Sequence, residues 1–149
     1  MPTTTAVRFQ SVTDSGLSIQ DSDDLIGTNT GECILGNSST AKSSVTLGGA
    51  VNNVPLGSVV DSFTVEIQAK RLAASPDPHV LGITASIGGF ELTSSANISS
   101  TSDTVYTTTF QNPDTSTITP NSIDGLQLTL RLETLGSTPS PQMSLAGIN

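Results

Sequence analysis

The chain contains no tryptophan, one tyrosine, four phenylalanines, one cysteine and one histidine among its 149 residues. Each scarcity removes a class of explanation. With so few rings the core has to be built from Val, Ile, Leu and Ala, and a platform of exposed aromatics for stacking sugars is hard to assemble. Cys33 has no disulfide partner, and beside Ile34 and Leu35 it reads as a small buried hydrophobe. His79, in Asp77-Pro78-His79, has no neighbouring Ser or Cys in a nucleophile motif, so triad chemistry is not expected. The bases are Arg8, Lys42, Lys70, Arg71 and Arg131, scattered against 13 acids for a net charge of −8, and without a basic face no nucleic acid partner is expected. A positively charged segment followed by an apolar run is missing, as is any stretch long enough to span a bilayer. These absences point to a product made in the cytosol that does not engage a membrane.

What is present is alternation. From Val59 to Lys70, Phe63, Val65, Ile67 and Ala69 alternate with Thr64, Glu66, Gln68 and Lys70, the period-two pattern of a half-buried β-strand. Leu126, Leu128, Leu130 and Leu132 alternate in the same way with Gln127, Thr129, Arg131 and Glu133. Two such strands in a chain with almost no helix signal predict an all-β, single-domain antiparallel β-sandwich. At this length about 70% of the unfolded surface can be buried, so the fold needs neither disulfide nor structural metal. A background of 22 Ser and 22 Thr, against few residue types that do chemistry, favours a scaffold over a catalyst.

Along the chain, residues 1–12 read as a flexible N-terminal arm and a first strand, Ala6 to Val12, and residues 13–149 as the sandwich. Asp14 to Gly31 reads as a hairpin or long loop with at most one short strand, followed by brief strands at Glu32 to Leu35 and Ser43 to Leu47. The loop from Arg71 to Pro78 reads as the tip of a hairpin joining the first long strand to Val80 to Ile87, and Gly88-Gly89 turns the chain again. Ser94 to Ser102 is polar enough to read as a surface excursion before the Thr-rich strand Asp103 to Phe110. Asn121 or Ser122 is placed to cap a helical turn before Ile123, and Met143 to Ile148 offers a last segment able to pair.

Candidate sites are weighed against plainer readings. Glu32, Glu66, Glu91 and Glu133 supply carboxylates for a glycosidase pair, but Glu66 and Glu133 fall on polar strand faces where solvated acids belong. Asp21-Ser22-Asp23-Asp24, with Asp14 nearby, gathers the hard oxygens calcium prefers, yet it has neither the turn glycine nor the closing glutamate of a calcium-binding hand and reads as a solvated acidic loop. Gly48-Gly49 and Gly88-Gly89 are followed by neither Lys nor a helix start, so they are turns. No enzyme, metal or cofactor is expected.

Three stretches carry a resemblance: Val59 to Ile67, then Lys70 to Pro78 followed by Val80 to Ile87, and Asp103 to Phe110 with Thr119 to Leu126. Over about two thirds of the chain this order resembles small tailed-bacteriophage virion proteins of jelly-roll type, found as capsid decoration (cement) proteins and in tail appendages. The resemblance implies a homotrimer on the outer capsid surface of the virion, assembled in the host cytoplasm, that binds the major capsid protein and stabilises the shell. The arm is the expected contact, through Thr3, Thr4, Thr5, Val7, Arg8 and Phe9. A sandwich that ends early at Asn149 is expected to leave an unpaired edge, which favours self-association. The alternative function is a tail fibre or spike module that binds a host-surface glycan, for which a pocket of Asn, Asp and Thr at a subunit interface would replace the missing aromatics.

Overall fold

The alternating runs form strands in the computed structural model of the chain, which describes residues 7–15, 19–26, 32–36, 42–72, 79–134 and 142–148. Among these residues ten strands follow one another as β1 (Ser11–Ser15), β2 (Ile19–Gln20), β3 (Cys33–Gly36), β4 (Ser44–Gly48), β5 (Ser62–Arg71), β6 (His79–Ile87), β7 (Phe90–Ile98), β8 (Thr104–Gln111), β9 (Gln127–Leu132) and β10 (Gln142–Ile148). Single 3-10 turns lie at Ser22–Leu25 and Pro120–Gly125. The strands make two five-stranded antiparallel sheets, ordered β1-β4-β9-β6-β7 and β2-β3-β10-β5-β8. The β-sandwich expected from the two long strands is therefore the fold.

Its core forms because each strand turns its apolar rank inward. Val45, Leu47, Leu81, Ile83, Leu128 and Leu130 of the first sheet and Cys33, Leu35, Val65, Ile67 and Ala69 of the second are buried in one aliphatic cluster. Each full burial of such an aliphatic chain contributes about 1.5–3 kcal/mol. Phe63 and Phe110 meet across β5 and β8 with ring centroids 6.3 Å apart, so two of the few rings serve packing. A smaller cluster of Ile87, Ile118 and Ile123 closes one end.

Several expectations about connection are corrected. The segment between β5 and β6 does not close a hairpin: β5 pairs with β8 and β10, and β6 pairs with β7 and β9, so the chain crosses from one sheet to the other. Turn-forming residues mark a reversal without saying which sheet receives the next strand; residues 73–78 themselves lie outside the described ones. The hairpin is instead β6–β7, where Gly88 (φ 58°) and Gly89 (φ 83°) supply the two positive φ angles of a primed two-residue turn. Ser94 to Ile98 is no excursion but the second half of β7. An edge strand needs little apolar content, because it faces the core with one rim of side chains, here Leu92, Ser94 and Ala96, anchored by the buried Ile98.

The end of the chain also differs from expectation. β10 lies in the middle of its sheet, paired with β3 on one side and β5 on the other, so it is not an open edge. At the other end the expected strand Ala6 to Val12 is described from Val7 onward, and over those residues the ladder starts only at Ser11; Ala6 lies outside the described residues. Arg8 bonds Val51 in both directions (3.0 and 2.7 Å), but Gly49 at φ 61° breaks the ladder between that bridge and β1. The capped turn forms at Pro120, with Ser122 inside it: its hydroxyl accepts a hydrogen bond from the Thr119 amide at 3.1 Å.

Candidate functional site

The outer face of the first sheet is set by register. Thr13 pairs with Thr46, Thr46 with Thr129, Thr129 with Thr84, and Thr84 with Thr93. Five threonines therefore stand in file across all five strands. Thr46, Thr84 and Thr129 each sit between two buried apolar residues of their own strand, so the inward rank forces the threonines outward. At an inter-strand spacing of about 4.8 Å the file is roughly 19 Å long. Thr46 and Thr129 share a hydroxyl hydrogen bond of 3.1 Å, while Thr13 and Thr93 are exposed at the two ends.

The neighbouring ranks are as polar. Ser15, Ser44, Arg131, Gly82 and Ser95 form a second file in register. On the other side Ser86 stands between Gln127 and Glu91. Lys42 Nζ meets Glu133 Oε2 at 2.7 Å and Arg131 Nε lies 3.8 Å from Glu133 Oε1. Gly82 makes room for this group, since a Cβ there would stand 2.8 Å from Glu133 Oε1. The face thus offers hydroxyl donors and acceptors, an amide, a guanidinium and carboxylates. None of the five strands places an aromatic ring on it: Phe90 lies in the rank that faces the core.

The residues singled out from the sequence go elsewhere. Thr3, Thr4 and Thr5 lie outside the described residues. Val7 is half-buried against the core, Arg8 is exposed, and Phe9, at 6% exposure, is a core residue, so the segment's two apolar side chains serve the protein's own interior. Cys33 is fully buried. His79 is 7% exposed and its Nδ1 has no hydrogen-bond partner among the described residues; burial pushes its pKa down, and the nearby Arg71 charge lowers it further. The Arg71 guanidinium donates to the Ser99 carbonyl, tying the end of β5 to the segment after β7.

The four candidate glutamates do not converge: Glu66 lies on the outer face of the second sheet, Glu32 beside Lys70 there, and Glu91 and Glu133 towards opposite ends of the first sheet. Among the described residues no three His, Cys, Asp or Glu side chains gather to hold a metal. In the acidic stretch Ser22 donates to Asp14 at 2.9 Å within a 3-10 turn. Asp114 is held below the usual carboxylate range by hydrogen bonds from Ser116 and Thr117, which order the loop after β8.

No protein-family model matches this chain, and no curated protein matches it. Among solved structures it is similar to one described as "CBM4 structure and function", with a TM-score of 0.51 and 17% identity over 97% of this chain and 92% of that one. It is also similar to the N-terminal cellulose-binding domain of Cellulomonas fimi β-1,4-glucanase C, with a TM-score of 0.47 and 17% identity over 83% of this chain and 80% of that one. The first likeness shows a shared β-sandwich. On that finding the capsid-decoration reading is corrected: the solved structure that shares the sandwich is described as a CBM4 and not as a virion protein, and of the virion resemblance only the β-sandwich fold remains.

The threonine file went unnoticed in the sequence. Its only signal there is that each of Thr46, Thr84 and Thr129 occupies a polar slot between apolar neighbours; that these slots coincide across strands is a property of pairing.

Proposed function

We propose that this chain is a non-catalytic carbohydrate-binding module that lays a polysaccharide across the threonine file of its first sheet. The observation that carries the reading is the file itself, five hydroxyls in register, flanked by ranks that hold Ser, Gln, Arg and Glu. A saccharide chain presents a regular series of hydroxyls that both donate and accept, and Thr hydroxyls do the same. Arg131, Gln127 and Glu91 flank the file with groups able to bond two hydroxyls at once. The fold shared with a carbohydrate-binding module supports the reading. Recognition by hydrogen bonding without stacked rings gives modest affinity, because each neutral hydrogen bond made at the expense of water contributes only about 0.5–1.5 kcal/mol.

The test is native affinity electrophoresis of the full chain in gels containing soluble cellulose derivatives, xylan, mannan or mixed-linkage glucan, with sedimentation on insoluble cellulose beside it. Retardation by at least one polysaccharide, relieved by its free oligosaccharide, is the expected result. Unretarded migration in every gel, with no depletion onto cellulose, overturns the proposal.

A further inference from the structure

Each sheet of the sandwich ends in two edge strands, β1 and β7 in the first, β2 and β8 in the second. An edge exposes a row of unpaired N–H and C=O groups, and proteins blunt such rows with shortness, charge, proline or bulges. Three of these edges are blunted. β2 is two residues long, β1 is five residues long and carries Asp14, and β7 carries Glu91.

β8 has none of these devices. It runs eight residues, Thr104-Val105-Tyr106-Thr107-Thr108-Thr109-Phe110-Gln111, with no charge, proline or glycine, and all but the last are β-branched or aromatic. Its inner side pairs with β5 without a register shift from Ser62↔Gln111 to Ala69↔Thr104, which keeps the strand regular. Among the described residues nothing pairs with its other side. Val105, on the outer face, is 59% exposed.

We propose that β8 is a self-association edge, on which two copies of the chain pair antiparallel across a two-fold axis to join their second sheets into one of ten strands. The sequence of β8 suits itself in this arrangement. With Thr107 opposite the partner's Thr107, Val105 falls opposite the partner's Thr109 and Asp103 opposite the partner's Gln111, so no like charges meet and the exposed valine is covered. Asp103 is already within 3.6 Å of Lys70 of its own chain. None of the acids behind the net charge of −8 lies on β8 itself. The pairing uses the second sheet, so it leaves the threonine face of each copy open.

Light scattering after size exclusion, run on the full chain over a concentration series, reads the state directly. The expected mass is twice 15.2 kDa at the upper concentrations. Thr107→Lys, at an exposed outer position, sets two ammonium groups against each other at the axis and is expected to return the monomer with unchanged circular dichroism. Val105→Lys does the same two positions away, which keeps the test open if one variant misfolds. Thr93→Lys, on β7, leaves the dimer intact. A wild-type monomer throughout, a trimer, or a dimer indifferent to both β8 variants overturns the proposal.

Discussion

The outer face of the β1-β4-β9-β6-β7 sheet holds hydroxyls in file across five strands, whereas that of the β2-β3-β10-β5-β8 sheet mixes unlike groups from strand to strand. On the second face Thr64 pairs with Thr109 (3.0 Å between hydroxyls), but the next pairs are Glu66 with Thr107 and Gln68 with Val105. Lys70 then reaches Glu32 at 3.4 Å and Asp103 at 3.6 Å. Both faces come from the same period-two alternation and both are rich in threonine. What separates them is where the threonines lie: in the first sheet each strand carries one and register sets them opposite one another, whereas in the second they lie on β5 and β8 alone and meet once. A continuous hydroxyl file therefore needs both a threonine on every strand and a register that aligns them.

The largest expected effects test whether one core supports both faces. Leu130→Ala beneath the threonine file and Ile67→Ala beneath the other face each remove a fully buried side chain and are expected to cost about 2–5 kcal/mol in chemical denaturation. A loss below about 1 kcal/mol at one site only would mean that the two sheets do not share a cooperative core. Next comes the face comparison itself. Thr46→Val, Thr84→Val and Thr129→Val together remove three central hydroxyls and are expected to weaken polysaccharide binding about tenfold or more in affinity electrophoresis. The matched triple Thr64→Val, Thr107→Val and Thr109→Val is expected to leave binding unchanged; equal losses from both triples would erase the distinction between the faces.

Acid tests the seam where the sheets meet. His79 of the first sheet is buried near Arg71 of the second, and both burial and that charge hold its folded pKa below the ordinary 6.5. The unfolded chain therefore takes up a proton that the folded chain resists, so stability is expected to fall as pH drops below 6.5 and to level off below the folded pKa. Thermal melts across this range should show a shallower slope for His79→Leu; an unchanged slope would remove His79 from the account. The smallest effect belongs to the half-exposed ion pair over Gly82. Glu133→Gln is expected to cost about 0–1 kcal/mol, less at high salt, with a similar figure for Lys70→Met on the opposite face.

Much of the sandwich was legible because alternation is local. Phe63 to Ala69 and Leu126 to Leu132 declare a buried and a solvated side from neighbouring residues alone, and Cys33 reads as buried from its apolar neighbours Ile34 and Leu35. The strand after Gly88-Gly89 was legible only as far as Leu92, since Thr93 to Asn97 carries the weak apolar content an edge tolerates. The join between β5 and β6 was misread because turn residues report a reversal and not a destination. The central place of β10 was invisible because its two partners, β3 and β5, are far away in the sequence and only long-range pairing brings them to it.

The amino-acid sequence by itself determined which faces of the long strands are buried, that the core is aliphatic, and that the surface is acidic and hydroxyl-rich, since these follow from side-chain chemistry at a period of two. Only the tertiary structure decided which strands lie side by side, and with that the threonine file, the meeting of His79 with Arg71 and the bare edge of β8. The physical reason is that pairing is a contact between distant segments: a shift of one residue would turn Thr129 into the core and break the file, without changing a letter of the sequence.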